Sequence, residues 1–212
     1  MQTLQKTNDF NEIVNGRRSI KQYDPTVKIS REEMSEILAQ ASKAPSSINM
    51  QPWRFLVIDS DEGKEKLAPL ASFNKDKVMS SSAVIAVFGD RQNFDYAEEI
   101  YGKAVEHGYM PEEVKEFQLN YFKPLYEGLS DDQMKDIVLL DSGHVSMQLM
   151  LVARAYGYDT NPIGGYDKEQ IAEAFGLEKE RYIPVMLISI GKALNEGFQS
   201  YRLPVDTITT WS

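Results

Sequence analysis

The chain has 212 residues, of which 42% are hydrophobic and 26% charged, and its formal net charge is −9. These values are typical of a globular protein with one domain and a sizeable core, and we take 1–212 as that domain. Because the chain has no cysteine, disulfides, a thiolate nucleophile and thiolate-bound clusters are excluded, so any redox chemistry must use a cofactor.

Capping residues, apolar periodicity and β-branched runs predict helices separated by strands. Asp9 can cap the first helix, and Ser30 with Glu33 forms a capping box for the second. Strands are predicted where apolar runs are rich in β-branched and aromatic residues, at 53–59, 83–89 and 183–191. The order of elements indicates a layered α/β or α+β sheet. Helices are predicted at 9–15, 30–43, 61–71, 130–156 and 167–175, and a further short helix opens at 74–77.

A cationic segment follows the first helix. Arg17, Arg18 and Lys21 surround Ser19 in a chain that is acidic on average. The planar arginine fork matches a pair of phosphate oxygens, and lysine adds a point charge. The segment therefore fits a phosphorylated small molecule and a solvated basic turn equally well.

The segment 45–53 reads PSSINMQPW and places polar side chains between two prolines, just before a predicted strand. Prolines restrict the backbone, so such a loop can aim several hydrogen-bonding groups at one ligand. An ordinary polar turn is the alternative. The polar residues are Ser46, Ser47, Asn49 and Gln51.

The middle of the chain changes character at 93–129, where five tyrosines, three phenylalanines and many glutamates occur. We interpret this stretch as a helical excursion that partly covers a site; a helical hairpin packed on the core is the alternative. The next helix, 130–156, has little polar face, which indicates a central position or a subunit interface.

Two further segments have weak signals of their own. Segment 161–166, NPIGGY, has two glycines after a proline and is not a G-x-G-x-x-G fingerprint, so a plain turn explains it equally well. The tail contains Tyr201-Arg202-Leu203-Pro204, and such a tail either wraps a neighbour or frays.

Several partners and reactions are disfavoured. The 23 basic residues form no stripe that could follow a nucleic-acid backbone. No run of about 18 apolar residues occurs, and the first ten residues do not resemble a secretion signal, so we expect a cytoplasmic protein with no membrane partner. His107 and His144 are not spaced as a metal pair, and no G-x-S-x-G elbow occurs, which disfavours a metal site and a hydrolase.

Five segments taken together resemble the FMN-dependent NAD(P)H nitroreductase family, and the resemblance covers nearly the whole chain. They occur in the family's order and read RRSIKQYDP (17–25), APSSINMQPWRFLV (44–57), FNKDK (73–77), NPIGG (161–165) and YRLP (201–204). The resemblance implies an α+β fold with a mixed β-sheet flanked by helices, in an intertwined homodimer with FMN at the interface. The excursion 93–129 would lie near the active-site opening.

The resemblance also assigns cofactor-binding positions. The first segment would bind FMN, with Lys21 beside flavin N1 and O2, where a cation stabilises the reduced flavin. The loop 45–51 would approach the same flavin from the second subunit, and Arg202 would contact the phosphate. Gly164 departs from better-studied members, which carry glutamate there, and should leave more room near N5. The assigned residues are Arg17, Arg18, Ser19, Lys21, Pro45, Ser46, Ser47, Asn49, Gln51, Asn74, Lys77, Pro162, Ile163, Gly164, Gly165 and Arg202.

The reaction that the resemblance implies is a ping-pong hydride transfer. NADH or NADPH would reduce flavin N5, and a planar electron-poor acceptor, a nitroaromatic or a quinone, would then be reduced in the same pocket. No protein acid or base is required for the hydride steps, so no catalytic side chain is predicted. The alternatives are a non-catalytic FMN carrier or sensor, or a specialised flavin enzyme such as a reductive dehalogenase.

Overall fold

Four antiparallel strands form the sheet of this computed structural model, which describes residues 6–212. The strands are β1 (Trp53–Ile58), β2 (Ala83–Asp90), β3 (Asp159–Ile163) and β4 (Tyr182–Gly191), in the order β1-β2-β4-β3. Strand β2 is buried along its whole length, which fits its central position and its apolar sequence AVIAVFGD. The three predicted strands are confirmed, with ends that differ by one residue.

Strand β3 was not predicted, because its sequence DTNPI contains Pro162 and was interpreted as part of a turn. Proline cannot donate to a strand ladder, so it is tolerated mainly at sheet edges. Strand β3 is an edge strand, and Pro162 lies opposite Ile188 of β4. Pairing with β4, a tertiary interaction, therefore overrides the local turn signal.

The α+β class is confirmed. Within residues 6–212, the parallel pairing expected of a mixed sheet is limited to one isolated bridge between Ser19 and Thr160. This bridge places the cationic segment 17–21 alongside β3.

Nine α-helices lie around the sheet in the described part of the chain. Side chains of Asp9 and Ser30 cap the first two as predicted. Only half of the capping box predicted at Ser30 forms, because the Glu33 carboxylate accepts from the Tyr158 hydroxyl instead. Ser130 with Gln133 forms a complete capping box on the longest helix. The helices are α1 (Phe10–Gly16), α2 (Arg31–Ala41), α3 (Asp61–Leu67), α4 (Lys75–Ser80), α5 (Ala97–Glu106), α6 (Glu112–Glu127), α7 (Asp131–Ala155), α8 (Ile171–Ala174) and α9 (Val205–Ile208).

Two predicted helices are shorter than expected. The helix predicted at 61–71 is α-helical only to Leu67, because a 3-10 stretch with Pro69 near its start follows at Ala68–Asn74. The helix predicted from Asp167 begins at Ile171. Asp167 accepts hydrogen bonds from the backbone N–H groups of Glu169 and Gln170, so it closes a turn before the helix.

Helix α7 packs one face on the sheet, where Val138, Val145 and Leu149 are fully buried. Its opposite face leaves Leu140 and Met147 exposed. Among the described helices it alone is long and apolar enough to cross a membrane by length and composition. Since its buried face belongs to the sheet core, we interpret it as a core helix.

The excursion forms helices α5 and α6 and packs on a small cluster of its own. Met50, Ala97 and Tyr101 are buried there, with Ile48 and Tyr126 against them. The cluster is separate from the two that cover the sheet faces. The excursion is therefore a helical pair that packs directly against the polar loop 45–51.

Candidate functional site

A cavity of about 670 Å³ lies where the cationic segment, α4 and the tail meet. Ser19, Lys21, Asn74 and Lys77 line it together with tail residues 195–198. Two of the five sequence segments, which are more than fifty residues apart, are thus brought to one place. The cavity is large enough for a small-molecule ligand.

The cationic segment is held in an extended conformation along β3. Ile20 donates its N–H to the carbonyl oxygen of Thr160 at 3.1 Å, and its own carbonyl accepts from Asn161 Nδ2 at 2.8 Å. Ile20 is buried, and side chains alternate along an extended chain. Ser19 and Lys21 therefore point away from the core, toward the cavity.

The two lysines of the cavity are close enough to affect each other. Burial, and then the positive charge of Lys21, lower the pKa of Lys77. Lys77 Nζ donates to Asn74 Oδ1, and neither lysine forms an ion pair among residues 6–212. Although Asp76 and Glu196 also line the cavity, an anion between the lysines would relieve their repulsion.

The NPIGG segment reaches the same place through Gly165. Asn74 Nδ2 donates to the Gly165 carbonyl oxygen at 2.8 Å. Gly164, by contrast, faces open space, and a Cβ built on it would meet no atom within 4 Å. That this space lies beside flavin N5 stays a prediction. Pro162 and Ile163 lie in β3, where Ile163 is buried in the sheet core.

The two arginines of the segment differ in how their nitrogens are used. Arg18 Nη1 donates to the carbonyl oxygens of Asn15 (2.6 Å) and Arg17 (2.9 Å). Arg17 Nη1 is buried and has no hydrogen-bond partner in the described part of the protein. A buried cationic donor without a partner is costly, and an oxygen of a bound ligand would satisfy it.

Arg202 lies outside this cavity lining in the structure. Its side chain is exposed, and Nη1 donates to Ser200 Oγ at 2.7 Å and to backbone oxygens of the tail. The tail nevertheless packs on the cationic segment, because Gly197 approaches Ile20 and Arg18 closely at a φ of +71°. Arg202 is therefore within the same tail but not joined to the other cavity residues.

The loop 45–51 has an unusual backbone. Ile48, Asn49 and Gln51 have φ values of 43°, 63° and 47°. Left-handed conformations cost L-residues of order 1–3 kcal/mol each, most of all β-branched ones, and they cluster at functional sites. Asn49 and Gln51 line a second cleft, of about 680 Å³, beside α5. No residue of the loop lines the cavity of Lys21 and Lys77.

Three side chains from three helices hold this loop, and the sequence analysis identified none of them. Asp141 of α7 accepts the Ser47 backbone N–H at 3.0 Å, Tyr126 of α6 donates to Ser47 Oγ at 3.2 Å, and Tyr101 of α5 donates to the Ile48 carbonyl at 2.9 Å. Burial raises the pKa of Asp141, and it raises the pKa of Tyr101 to about 12. The sequence signal for Asp141 is its position as a carboxylate among the apolar residues of the predicted helix 130–156.

The cavity residues fit the phosphate and pyrimidine ends of FMN in chemical type. Lys21 and Lys77 supply positive charge, and Ser19 and Asn74 supply uncharged polar groups. Arg17, which belongs to the same cationic segment but does not line the cavity, has a buried Nη1 without a partner among residues 6–212. Gly164, next to the Gly165 that bonds to Asn74, has open space around the position of a Cβ. The donors present in this chain are therefore compatible with the cofactor that the sequence resemblance implies.

Comparisons with known proteins agree with this description. The Nitroreductase family model matches residues 14–192. The chain is 68% identical over 206 residues to YdgI of Bacillus subtilis, named as a candidate NAD(P)H nitroreductase, with 97% of this chain and 99% of that protein covered. It is 39% identical to the CLA biosynthesis enone reductase of Lactiplantibacillus plantarum, with 95% and 94% covered.

Solved structures give the same result. The crystal structure of a candidate nitroreductase in complex with FMN from Exiguobacterium sibiricum superposes with a TM-score of 0.97 at 62% identity, and covers 99% of this chain and 100% of that chain. Sequence, fold and cavity all agree: this chain belongs to the nitroreductase family.

Proposed function

We propose that the chain, an FMN-dependent NAD(P)H oxidoreductase, reduces a planar, electron-poor acceptor by a ping-pong route. The observation that supports this best is the cavity lined by Lys21 and Lys77, neither of which forms an ion pair among residues 6–212. When bound there, FMN supplies hydride chemistry, in which NAD(P)H is oxidised and the acceptor gains a hydride and a solvent proton. We place the enzyme in the cytoplasm as a single domain.

The protein's own residues bind and orient the cofactor in this proposal. Arg17 and Ser19 would hold the phosphate, and Lys21 would place positive charge at the pyrimidine end, where electron density accumulates. Asn74 would be kept in place by its bond to Gly165, and Lys77 by its bond to Asn74. Nitroaromatics and quinones suit the open side at Gly164, because they are flat and gain electrons readily.

A second acceptor class is a conjugated enone. A relative at 39% identity is named an enone reductase, and its solved structure superposes with a TM-score of 0.90. An enone is also planar and electron-poor, and hydride addition to its β-carbon with protonation of the α-carbon would reduce it. The same open side at Gly164 would accept it.

We also propose that the functional unit is a homodimer. Within one protomer the loop 45–51 lies outside the lysine-lined cavity, so it would meet the flavin of a second copy. Several large apolar side chains are exposed to solvent in the single protomer, and a second copy of the chain would bury them. They lie on α6, α7 and the tail, at Phe117, Tyr121, Leu125, Leu140, Met147, Tyr201, Leu203 and Trp211. Light scattering should give twice the 24.1 kDa mass of one chain.

The function is tested by an anaerobic visible spectrum. Purified protein is loaded with FMN, desalted, and titrated with NADH and, separately, with NADPH. We expect retained flavin colour that bleaches and then recovers on addition of p-benzoquinone, a nitroaromatic or an enone. Flavin that neither nucleotide bleaches would indicate an FMN carrier or sensor, and absence of retained flavin would contradict the proposal.

A further inference from the structure

The strained loop 45–51 depends on contacts from outside the loop. Ile48 is β-branched and Gln51 is long, so neither residue favours positive φ. Inside the loop, Ser46 Oγ accepts from the Gln51 N–H at 3.0 Å, and Asn49 and Met50 donate to backbone carbonyls of Ser46 and Ser47. These local bonds also form in ordinary turns, so they do not select the left-handed conformation by themselves.

Asp141 of helix α7 makes one of these outside contacts, and packing of the helix alone does not explain a carboxylate at this position. The residue is 3% exposed in the middle of α7. Its one hydrogen-bond partner among residues 6–212 is the Ser47 backbone N–H, at 3.0 Å, and it forms no ion pair there. A buried carboxylate without a cation is costly, so a helix that only needed to pack would be more stable with an apolar residue.

The position of the bond explains what the carboxylate does. Ser47 begins the 3-10 turn, and Ile48, Asn49 and Gln51 follow it directly with their left-handed backbone. A bond to an ionised acceptor is shorter and stronger than a neutral one. Asp141 therefore holds Ser47, the first residue of the turn, against helix α7. Tyr126 donates to the hydroxyl of the same residue, and Tyr101 donates to the carbonyl oxygen of Ile48.

We propose that Asp141 is a positioning residue for the flavin site. It acts through Ser47 and fixes the conformation in which the loop presents Ser47 and Asn49 to the cofactor. This inference rests on the proposed function, in which the loop contacts FMN. It predicts that loss of the Asp141–Ser47 bond weakens FMN binding and changes the flavin environment more than it changes folding.

The test compares three variants of the full-length, FMN-loaded protein. Asp141→Ala removes the acceptor, Asp141→Asn keeps an acceptor oxygen, and Ser146→Ala is the matched control. Ser146 lies on the same helix, is equally buried, and donates only to the Ser142 carbonyl within α7. The readouts are the FMN dissociation constant, the visible circular dichroism of bound flavin, and thermal unfolding of the apoprotein.

We expect the FMN dissociation constant of Asp141→Ala to rise about tenfold or more, because a buried donor loses a charge-assisted bond. The visible dichroism should change in the same variant. Asp141→Asn keeps an acceptor oxygen but loses the charge, so its dissociation constant should rise less than that of Asp141→Ala, and Ser146→Ala should bind FMN as wild type does. Unchanged affinity and dichroism in Asp141→Ala, or equal losses in Ser146→Ala, would overturn the inference.

A second pair of variants tests the same bond from the donor side, in case Asp141→Ala does not fold. Ser47→Pro removes the N–H, and Ser46, at φ −144° and ψ 162°, already has the backbone that precedes a proline. Ser47→Ala removes only the hydroxyl. Ser47→Pro should weaken FMN binding about tenfold more than Ser47→Ala; equal effects would overturn the inference.

The result separates this inference from the proposed function. Wild-type protein that does not retain FMN contradicts the proposed function. Wild-type protein that retains FMN, with Asp141→Ala and Ser47→Pro binding as tightly as their controls, contradicts only the positioning role of Asp141.

Discussion

The cationic segment 17–21 and the loop 45–51 are both assigned to the flavin site, yet their polar groups are satisfied differently. In the segment, Lys21 has no ion pair among residues 6–212, and Arg17 has a buried nitrogen without a partner. In the loop, Ser47 and Ile48 are held by three side chains from three helices. The cationic segment has charged groups without ion pairs, which a ligand would pair, whereas the backbone conformation of the loop is fixed by other parts of the protein.

The difference shows two ways of preparing a binding site. Unpaired cations give affinity for an anion, because the ligand supplies the bonds that the protein lacks. A strained loop that is held by contacts from three helices lowers the entropy that is lost on binding, because its conformation is already set. Variants in the segment should therefore change affinity for the phosphate, whereas variants around the loop should change geometry.

The largest expected effect concerns the two arginines. Arg17→Ala should weaken FMN binding by about 1.5–3 kcal/mol, roughly a 10- to 150-fold rise in the dissociation constant, because a charge-assisted donor is lost. Arg18→Ala should also weaken binding but by less, since Arg18 Nη1 is already bonded to backbone carbonyls. Fluorescence titration with FMN measures both. Equal losses would show that the buried nitrogen of Arg17 does not meet the ligand.

The next effect concerns the contact between the tail and the segment. Gly197 and Gly176 both have positive φ, but a Cβ on Gly197 would lie 2.9 Å from Ile20 Cδ1 and 3.0 Å from Arg18 Cβ, while a Cβ on Gly176 would meet nothing. Each Gly→Ala change should reduce the free energy of unfolding by about 1–2 kcal/mol. Only Gly197→Ala should also weaken FMN binding, as urea unfolding and FMN titration can show. If Gly197→Ala and Gly176→Ala bind FMN with the same affinity, then the contact of the tail with the cationic segment 17–21 does not contribute to FMN binding.

A smaller effect is expected at Lys21. Lys21→Ala should lower the midpoint potential of bound FMN more than it lowers FMN occupancy, because the lost cation favours the reduced form. A loss of about 1.4 kcal/mol corresponds to about 30 mV for a two-electron couple. Anaerobic titration against a reference dye measures the potential. A potential equal to that of wild type would remove Lys21 from the pyrimidine end of the flavin.

The smallest effect on stability is expected at Gly164. Gly164→Glu should change the free energy of unfolding by less than about 0.5 kcal/mol, since its Cβ would meet no atom within 4 Å and its φ is not left-handed. The added side chain should reduce kcat/KM for bulky acceptors relative to p-benzoquinone. Steady-state rates with a graded acceptor series measure this. Equal changes across the series would show that Gly164 does not border the acceptor.

Sequence alone determined the features that depend on local chemistry. Asp9 and Ser30 cap helices as predicted, because the groups that bond are only three residues apart. The strands β1, β2 and β4 follow from apolar runs rich in β-branched and aromatic residues, although only β2 is buried along its whole length and β1 lies at an edge of the sheet. The family resemblance likewise rests on short contiguous segments.

Only the tertiary structure decided which distant groups meet. Pro162 became part of an edge strand because β4 lies beside it, and Asp141 bonds to Ser47 across 94 positions of the chain. Such contacts depend on the packing of whole helices against a sheet, and a pattern of neighbouring residues does not contain that information.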